Sequence, residues 1–186
     1  ASDVYKRQEH TDIVTNERGA IVVNDTCESS APGVYAVGDV NGGPQFTYVS
    51  LDDFRIVFGA LTGNSQYTLK DRKNIPYTTF LTPPLSRVGL TEEDAINQGY
   101  TIKTKEMLVA TMPRAHVNDY LKGAFKIVVD AENDLILGTT LYSQGAEELI
   151  NLIKMAMDNN IPYTYFKNQI FTHPTMAENL NDLCNF

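Results

Sequence analysis

An imidazole, a proline and a carboxylate lie within six residues of one another in the stretch Phe171-Thr172-His173-Pro174-Thr175-Met176-Ala177-Glu178. Histidine titrates nearest neutral pH, so His173 can take and return a proton under working conditions. A carboxylate on one ring nitrogen would fix the tautomer and free the other nitrogen for chemistry. Pro174 holds the preceding residue in extended conformations, which puts the imidazole on a turn, and it also admits a cis bond. If Thr175 caps a helix, Glu178 falls in its first turn and can face back toward His173. The same letters, Thr175-x-x-Glu178, also spell a capping box, which requires no catalysis. Spacing alone favours the cap, because the device is common.

A second stretch, Ala31-Pro32-Gly33-Val34-Tyr35-Ala36-Val37-Gly38-Asp39-Val40, reads as a turn, a short buried strand over 34–37 and a Gly-Asp turn. In open parallel sheets ligands bind beyond the carboxyl ends of strands, where a carboxylate such as Asp39 can accept hydrogen bonds from hydroxyls. A plain strand-and-turn reading fits these residues equally well. After the loop Asn41-Gly42-Gly43-Pro44 a helix is expected over 47–61, with Val49, Phe54, Val57, Phe58 and Leu61 as its apolar face and Gly63 as its stop. Its free N–H groups would point at an electron-rich ligand at the turn.

Elements that must position these residues follow from patterning. A short strand is expected over 20–23. The polar run 64–76 reads as a linker. Beyond it come strands over 77–81 and 87–90 around the loop 82–86, then a helix capped by Thr91-Glu92-Glu93-Asp94 and ending at Gly99. Strands are expected over 102–109, 123–129 and 135–142, with 130–134 as the turn between the last two. Leu149, Ile150, Ile153 and Met157 recur at helical spacing over 146–159, with Met155 and Met157 read as packing residues. Strands segregated from helices predict an α+β domain with an antiparallel sheet.

Composition excludes several classes. Net charge is −8 with 42% hydrophobic residues, which suits a globular chain and disfavours nucleic acid or an anionic membrane. No apolar run reaches the length of a membrane span, and the first residues lack the apolar core of a signal peptide, so a cytoplasmic location is expected. Residues 1–8 carry no pattern. Cys27 and Cys184 form no short-spaced motif, and His10, His116 and His173 stand apart from clustered ligands, so no metal is expected.

Taken together, these motifs resemble the pyridine nucleotide-disulfide oxidoreductases, the family of lipoamide dehydrogenase, glutathione reductase and mercuric reductase. The segment 26–43, with Pro32 and Val34-Tyr35-Ala36-Val37-Gly38-Asp39, is similar to that family's second FAD-contacting motif. Phe80-Leu81-Thr82-Pro83-Pro84, Val88-Gly89-Leu90-Thr91-Glu92, Gly138, Gly145-Ala146-Glu147-Glu148-Leu149-Ile150 and His173-Pro174-Thr175-x-x-Glu178 resemble its C-terminal dimerisation domain. The landmarks stand in family order over about 11–185. The resemblance implies that Asp39, beside Gly38, bonds a ribityl hydroxyl of FAD. It also implies that Phe46, Thr47 and Tyr48 lie against the flavin's pyrimidine end, and that His173 and Glu178 form an acid–base pair serving the other subunit of a homodimer. The domains implied are 9–66, the C-terminal part of an α/β FAD-binding domain; 67–76, a linker; and 77–186, the dimerisation domain.

The family's G-x-G-x-x-G fingerprint, its C-x-x-x-x-C pair and its NAD(P)-binding glycine motif do not occur in the sequence. The chain therefore resembles the C-terminal part of an FAD-dependent, NAD(P)H-using enzyme. Alone it is expected to hold FAD weakly or not at all and to be inactive in electron transfer. The alternative function is a stand-alone dimerisation module without catalysis. Mercuric reductases carry a vicinal cysteine pair near the end, where Cys184 stands alone. Leu81-Thr82-Pro83-Pro84-Leu85-Ser86-Arg87 and Glu178-Asn179-Leu180-Asn181-Asp182-Leu183 look most like the bacterial reactive-chlorine-resistance flavoproteins.

Overall fold

A computed structural model describes residues 10–186; the unpatterned residues 1–8 lie outside that range. The chain divides into two compact units between Lys73 and Asn74.

The first unit is loop-rich and contains one long helix. Asparagines shape its turns: Asn16 Oδ1 accepts the amides of Arg18 and Ala20, and Asn24 Oδ1 those of Thr26 and Glu28. The strands expected over 20–23 and 34–37 are replaced by single bridges, Thr15 with Ile21, Val23 with Ser29 and Glu28 with Tyr35. Val34 and Val37 are each 42% exposed and only Ala36 of that run is buried, so it is not a buried strand. Among the described residues no ladder flanks it, and alternate side chains face water.

Helix α1, Thr47–Leu61, has the limits the pattern implied, but its inward face is different. Val49, Asp53 and Ile56 are buried, whereas Phe54, Phe58 and Leu61 are exposed. Asp53 explains the rotation. Its carboxylate is needed inside the unit, and positions 49, 53 and 56 share one face, which turns 54, 58 and 61 outward. Residues 67–72 are anchored to this unit. Thr68 and Asp71 form a capping box on the 3-10 turn Leu69–Asp71, Lys70 pairs with Asp25, and Arg72 pairs with Asp52 and Asp53.

The second unit carries one antiparallel sheet of order β1-β2-β5-β4-β3. The strands are β1 (Tyr77–Thr79), β2 (Leu85–Gly89), β3 (Ile102–Leu108), β4 (Ala124–Asp130) and β5 (Ile136–Tyr142). Helix α2 (Glu92–Asn97) has Thr91 as its cap, in a reciprocal capping box with Asp94. Gly89 and Gly138 face each other across β2 and β5; a Cβ on Gly138 would sit 2.0 Å from the Leu90 carbonyl. Helix α4 (Ala146–Asp158) lays Leu149, Ile150 and Ile153 on β2 and β5. They meet Phe125, Ile127 and Leu141 from the sheet, and Leu180 and Leu183 complete the same core.

Two short helices, α3 (Pro113–Val117) and α5 (Tyr163–Asn168), have no counterpart in the sequence reading, and a third, α6 (Asn179–Leu183), is indicated there only by its capping letters. Each has five or six residues, too few to display a 3.6-residue period. The helix expected to start after Thr175 begins at Asn179, with Glu178 at the cap position.

Candidate functional site

The loop between α5 and α6 presents His173. Phe171 anchors its start against the core, Met176 is buried, and α6 follows at once. The Thr175 hydroxyl donates to Thr172 O at 2.7 Å and accepts the Glu178 amide at 3.2 Å. Half of the capping box therefore forms. The other half does not, because the Glu178 carboxylate turns away from the cap and Oε2 lies 2.8 Å from His173 Nδ1. The His173–Pro174 bond is cis.

This geometry brings together the two residues singled out first. The His173 side chain is 70% exposed and that of Glu178 only 17%. A carboxylate can only accept, so Nδ1 carries the proton in the neutral ring and Nε2 is left as a base. Glu178 Oε1 is buried without a partner among the described residues.

The other predicted residues lie in the first unit. Gly38–Asn41 form a 3-10 turn with the Asp39 side chain exposed. Phe46 is the N-cap of α1 and provides no side-chain cap; Thr47 and Tyr48 open the helix, and all three are exposed. The Tyr48 hydroxyl accepts from Arg55 Nη2 at 3.1 Å, with the guanidinium over the ring.

Sequence reasoning missed what holds this turn. Asp53 is fully buried; its Oδ2 accepts the Gly38 amide at 2.7 Å and Asn41 Nδ2 at 2.9 Å, while Oδ1 pairs with Arg72. Gly38 has φ +73°, and a Cβ there would meet Ser50 Oγ at 2.6 Å, so glycine is required. The available signal was an adjacent Asp52-Asp53 pair in the middle of a largely apolar helix. The arrangement suits one end of a flavin nucleotide: an exposed acceptor at a rigid turn, followed by an uncapped start of a fifteen-residue helix.

The cysteines contribute no redox centre. Both are free and buried. Burial, with Asp53 nearby, pushes the Cys27 thiol up to about 11, and burial pushes Cys184 up to about 12. The thiolate needed for nucleophilic chemistry is thus withheld at neutral pH. Among the described residues no cluster of His, Cys, Asp and Glu could hold a metal ion, and no helix is long and apolar enough to cross a membrane.

Residues 75–184 match the model of the pyridine nucleotide-disulphide oxidoreductase dimerisation domain, and residues 2–53 match that of pyridine nucleotide-disulphide oxidoreductase. The chain belongs to the pyridine nucleotide-disulphide oxidoreductases. Among its relatives in that family is the probable pyridine nucleotide-disulfide oxidoreductase RclA of Escherichia coli, 49% identical over 94% of this chain and 40% of that protein. A mercuric reductase of Lysinibacillus sphaericus is 34% identical over 90% of this chain and 31% of that protein. The solved structure of the HOCl-induced flavoprotein disulfide reductase RclA from Escherichia coli matches with a TM-score of 0.92 and 47% identity, over 96% of this chain and 41% of that one. The chain thus spans about 40% of the length of RclA. The sheet and helices of the second unit are the dimerisation fold of this oxidoreductase family, and the match to the pyridine nucleotide-disulphide oxidoreductase model falls in the first unit.

Proposed function

We propose that this chain supplies the dimerising part of an FAD-dependent, NAD(P)H:disulfide-type oxidoreductase, and that His173 and Glu178 are its acid–base pair. The observation that carries the reading is the 2.8 Å contact between His173 Nδ1 and Glu178 Oε2, with the imidazole otherwise open to solvent. The segments assigned are 9–66 to the FAD-binding domain, 67–76 to the connection and 77–186 to dimerisation.

Bound FAD would supply two-electron transfer between a nicotinamide and a disulfide. Asp39 would hold FAD by accepting a hydrogen bond from a ribityl hydroxyl, and Phe46, Thr47 and Tyr48 at the start of α1 would hold its electron-rich pyrimidine end. Gly38 lets the backbone turn there, and Asp53 holds it in place. The redox cysteines belong to the rest of the parent protein, in the partner subunit of a cytoplasmic homodimer. His173 Nε2 takes the proton released as a thiol becomes a thiolate and returns it to the leaving thiolate; Glu178 keeps Nδ1 protonated and steadies the imidazolium. The pyrophosphate cradle is absent from this sequence, so the isolated chain binds FAD weakly.

In the full-length parent, His173→Ala lowers turnover by a factor of 10²–10⁴, the usual contribution of a general acid–base, with NAD(P)H and FAD binding nearly unchanged. Equal losses in turnover and in binding would reduce His173 to a structural residue. Light scattering of the 186-residue chain should give a dimer at high micromolar concentration.

A further inference from the structure

His173 is too exposed for packing of its ring to fix it against Glu178. Their separation is set by the backbone of the loop 169–178, which leaves α5 and enters α6. One side chain ties the two ends of that loop together. Asn181, three residues beyond Glu178, donates its amide to carbonyls at the loop's entry: Phe166 O at 2.6 Å, Gln169 O at 3.0 Å and Lys167 O at 3.3 Å. The far end of α6 is anchored separately, by Lys105 Nζ of β3, which donates to Asp182 O at 2.7 Å and Asn185 O at 2.6 Å.

We infer that Asn181 is a positioning residue for the His173–Glu178 pair. This rests on the reading of that pair given above and adds the device that maintains it. The three carbonyls at the loop entry lie at the end of a helix and need donors. The Asn181 amide provides two N–H groups, shared among the three acceptors, and these bonds also satisfy the last turn of α5. With both ends of the loop pinned, the conformations in which His173 Nδ1 drifts from Glu178 Oε2 are removed from the ensemble, which is how a rigid scaffold prepays orientation. Asparagine is specific here. Aspartate would aim a carboxylate at three carbonyl oxygens, and alanine would remove the Asn181 donor from all three, leaving Phe166 O with only the Gln169 amide at 3.4 Å. Within the loop, the Thr175 hydroxyl relay between Thr172 O and the Glu178 amide sets the local turn but does not hold the entry.

The test is ¹⁵N NMR of the His173 ring in the 186-residue chain at a pH where the imidazole is neutral, alongside circular dichroism and melting temperature. The wild-type chain should show the Nδ1–H tautomer. Glu178→Ala should convert the ring to the mixture of a free imidazole. Asn181→Ala and Asn181→Asp should shift it at least half as far, with the far-UV spectrum unchanged. Leu183→Val, in the buried face of the same helix, should lower the melting temperature and leave the tautomer in place. If Glu178→Ala leaves the tautomer unmoved, the pair itself is refuted. If Glu178→Ala moves it and a folded Asn181→Ala does not, the positioning role is refuted and the pair stands. A shift in Leu183→Val as large as that in Asn181→Ala also overturns the role, since general loosening would then explain both. Should Asn181→Asp fail to fold, Asn181→Ala decides.

Discussion

The two units are stabilised by opposite means. The first is centred on a charge: Asp53 is fully buried and gathers the Gly38 amide, Asn41 and Arg72 around one carboxylate. Ile56 and Val49 are buried beside it on the same helix, while Phe54, Phe58 and Leu61 face water. The second is centred on hydrocarbon, with Phe125, Ile127, Leu141, Ile150, Ile153, Leu180 and Leu183 buried together. Buried ion pairs are costly to assemble and costlier to break, because the surviving partner is left without compensation. Apolar cores lose stability in proportion to the volume removed. The difference locates function as well. The first unit's buried carboxylate holds a turn carrying an exposed acceptor, and the second unit's core holds a loop carrying an exposed base.

The largest expected effect is therefore at Asp53. Asp53→Ala leaves Arg72 with Asp52 as its remaining carboxylate and orphans the buried Gly38 amide; breaking the buried pair and stranding that donor together should cost the first unit about 3–5 kcal/mol. Urea unfolding read by hydrogen exchange at the Gly38 amide would measure it. A loss below about 1 kcal/mol would erase the contrast between the units, since that is the scale of an exposed pair. Next is Leu180→Ala in the second unit, for which about 2–5 kcal/mol is expected from lost burial plus the cavity left behind. Because Leu180 lies on α6 beside Asn179 and Glu178, the same variant should weaken the His173 contact before the sheet melts, visible as earlier loss of exchange protection in α6 than in β4.

The contrast also explains what could be read from the sequence. In the second unit, hydrophobic period and turn chemistry placed α4 to within a residue, all five strands to within two residues at either end, and the Thr91 cap, because β4, β5 and α4 bury their apolar stripes within that unit. In the first unit the same reasoning found the limits of α1 and assigned the wrong face, since Phe54, Val57, Phe58 and Leu61 outweigh a single aspartate in any count of apolar residues. The 34–37 run failed for a related reason: a hydrophobic run states that burial is wanted, not that a neighbouring strand is present. His173 and Glu178 were legible from spacing, but the choice between a cap and a pair was not, because both use the same letters and differ only in a side-chain torsion. Asn181 gave no signal, since its three acceptors are backbone carbonyls of α5 and the loop after it.

A smaller effect separates the units by pH. Both thiols are held protonated in the folded state, Cys27 to about 11 and Cys184 to about 12, while an unfolded cysteine ionises near pH 8.5. Between these limits the folded chain binds more protons than the unfolded one, so stability falls as pH rises. Below about pH 8 the thiols contribute no slope. Cys184→Ala should flatten the alkaline decline in the second unit and Cys27→Ala that in the first, each measured as urea midpoints from pH 8 to 11. A thiol reagent at pH 8 should find neither cysteine until the chain unfolds, then both.

The smallest effect concerns the exposed stripe of α1. Phe54 and Phe58 stand one turn apart with ring centroids 5.9 Å from each other. A pair of that spacing on a water-facing helix surface is worth about 0.2–0.5 kcal/mol. Phe58→Ala in this chain should cost no more, since little area is removed from solvent contact and helix propensity improves slightly. The same substitution in the longer parent protein sharpens the comparison. If the rest of the parent protein covers the stripe there, the cost rises to the roughly 3–5 kcal/mol of a buried phenylalanine, and the first unit becomes an apolar-centred body like the second. If the cost remains a few tenths of a kcal/mol, the stripe lies in water in both, and the charge at Asp53 is the first unit's own permanent centre. Denaturation midpoints of the two proteins, each with and without Phe58→Ala, separate these outcomes, because a tenfold difference in cost far exceeds the error of either extrapolation.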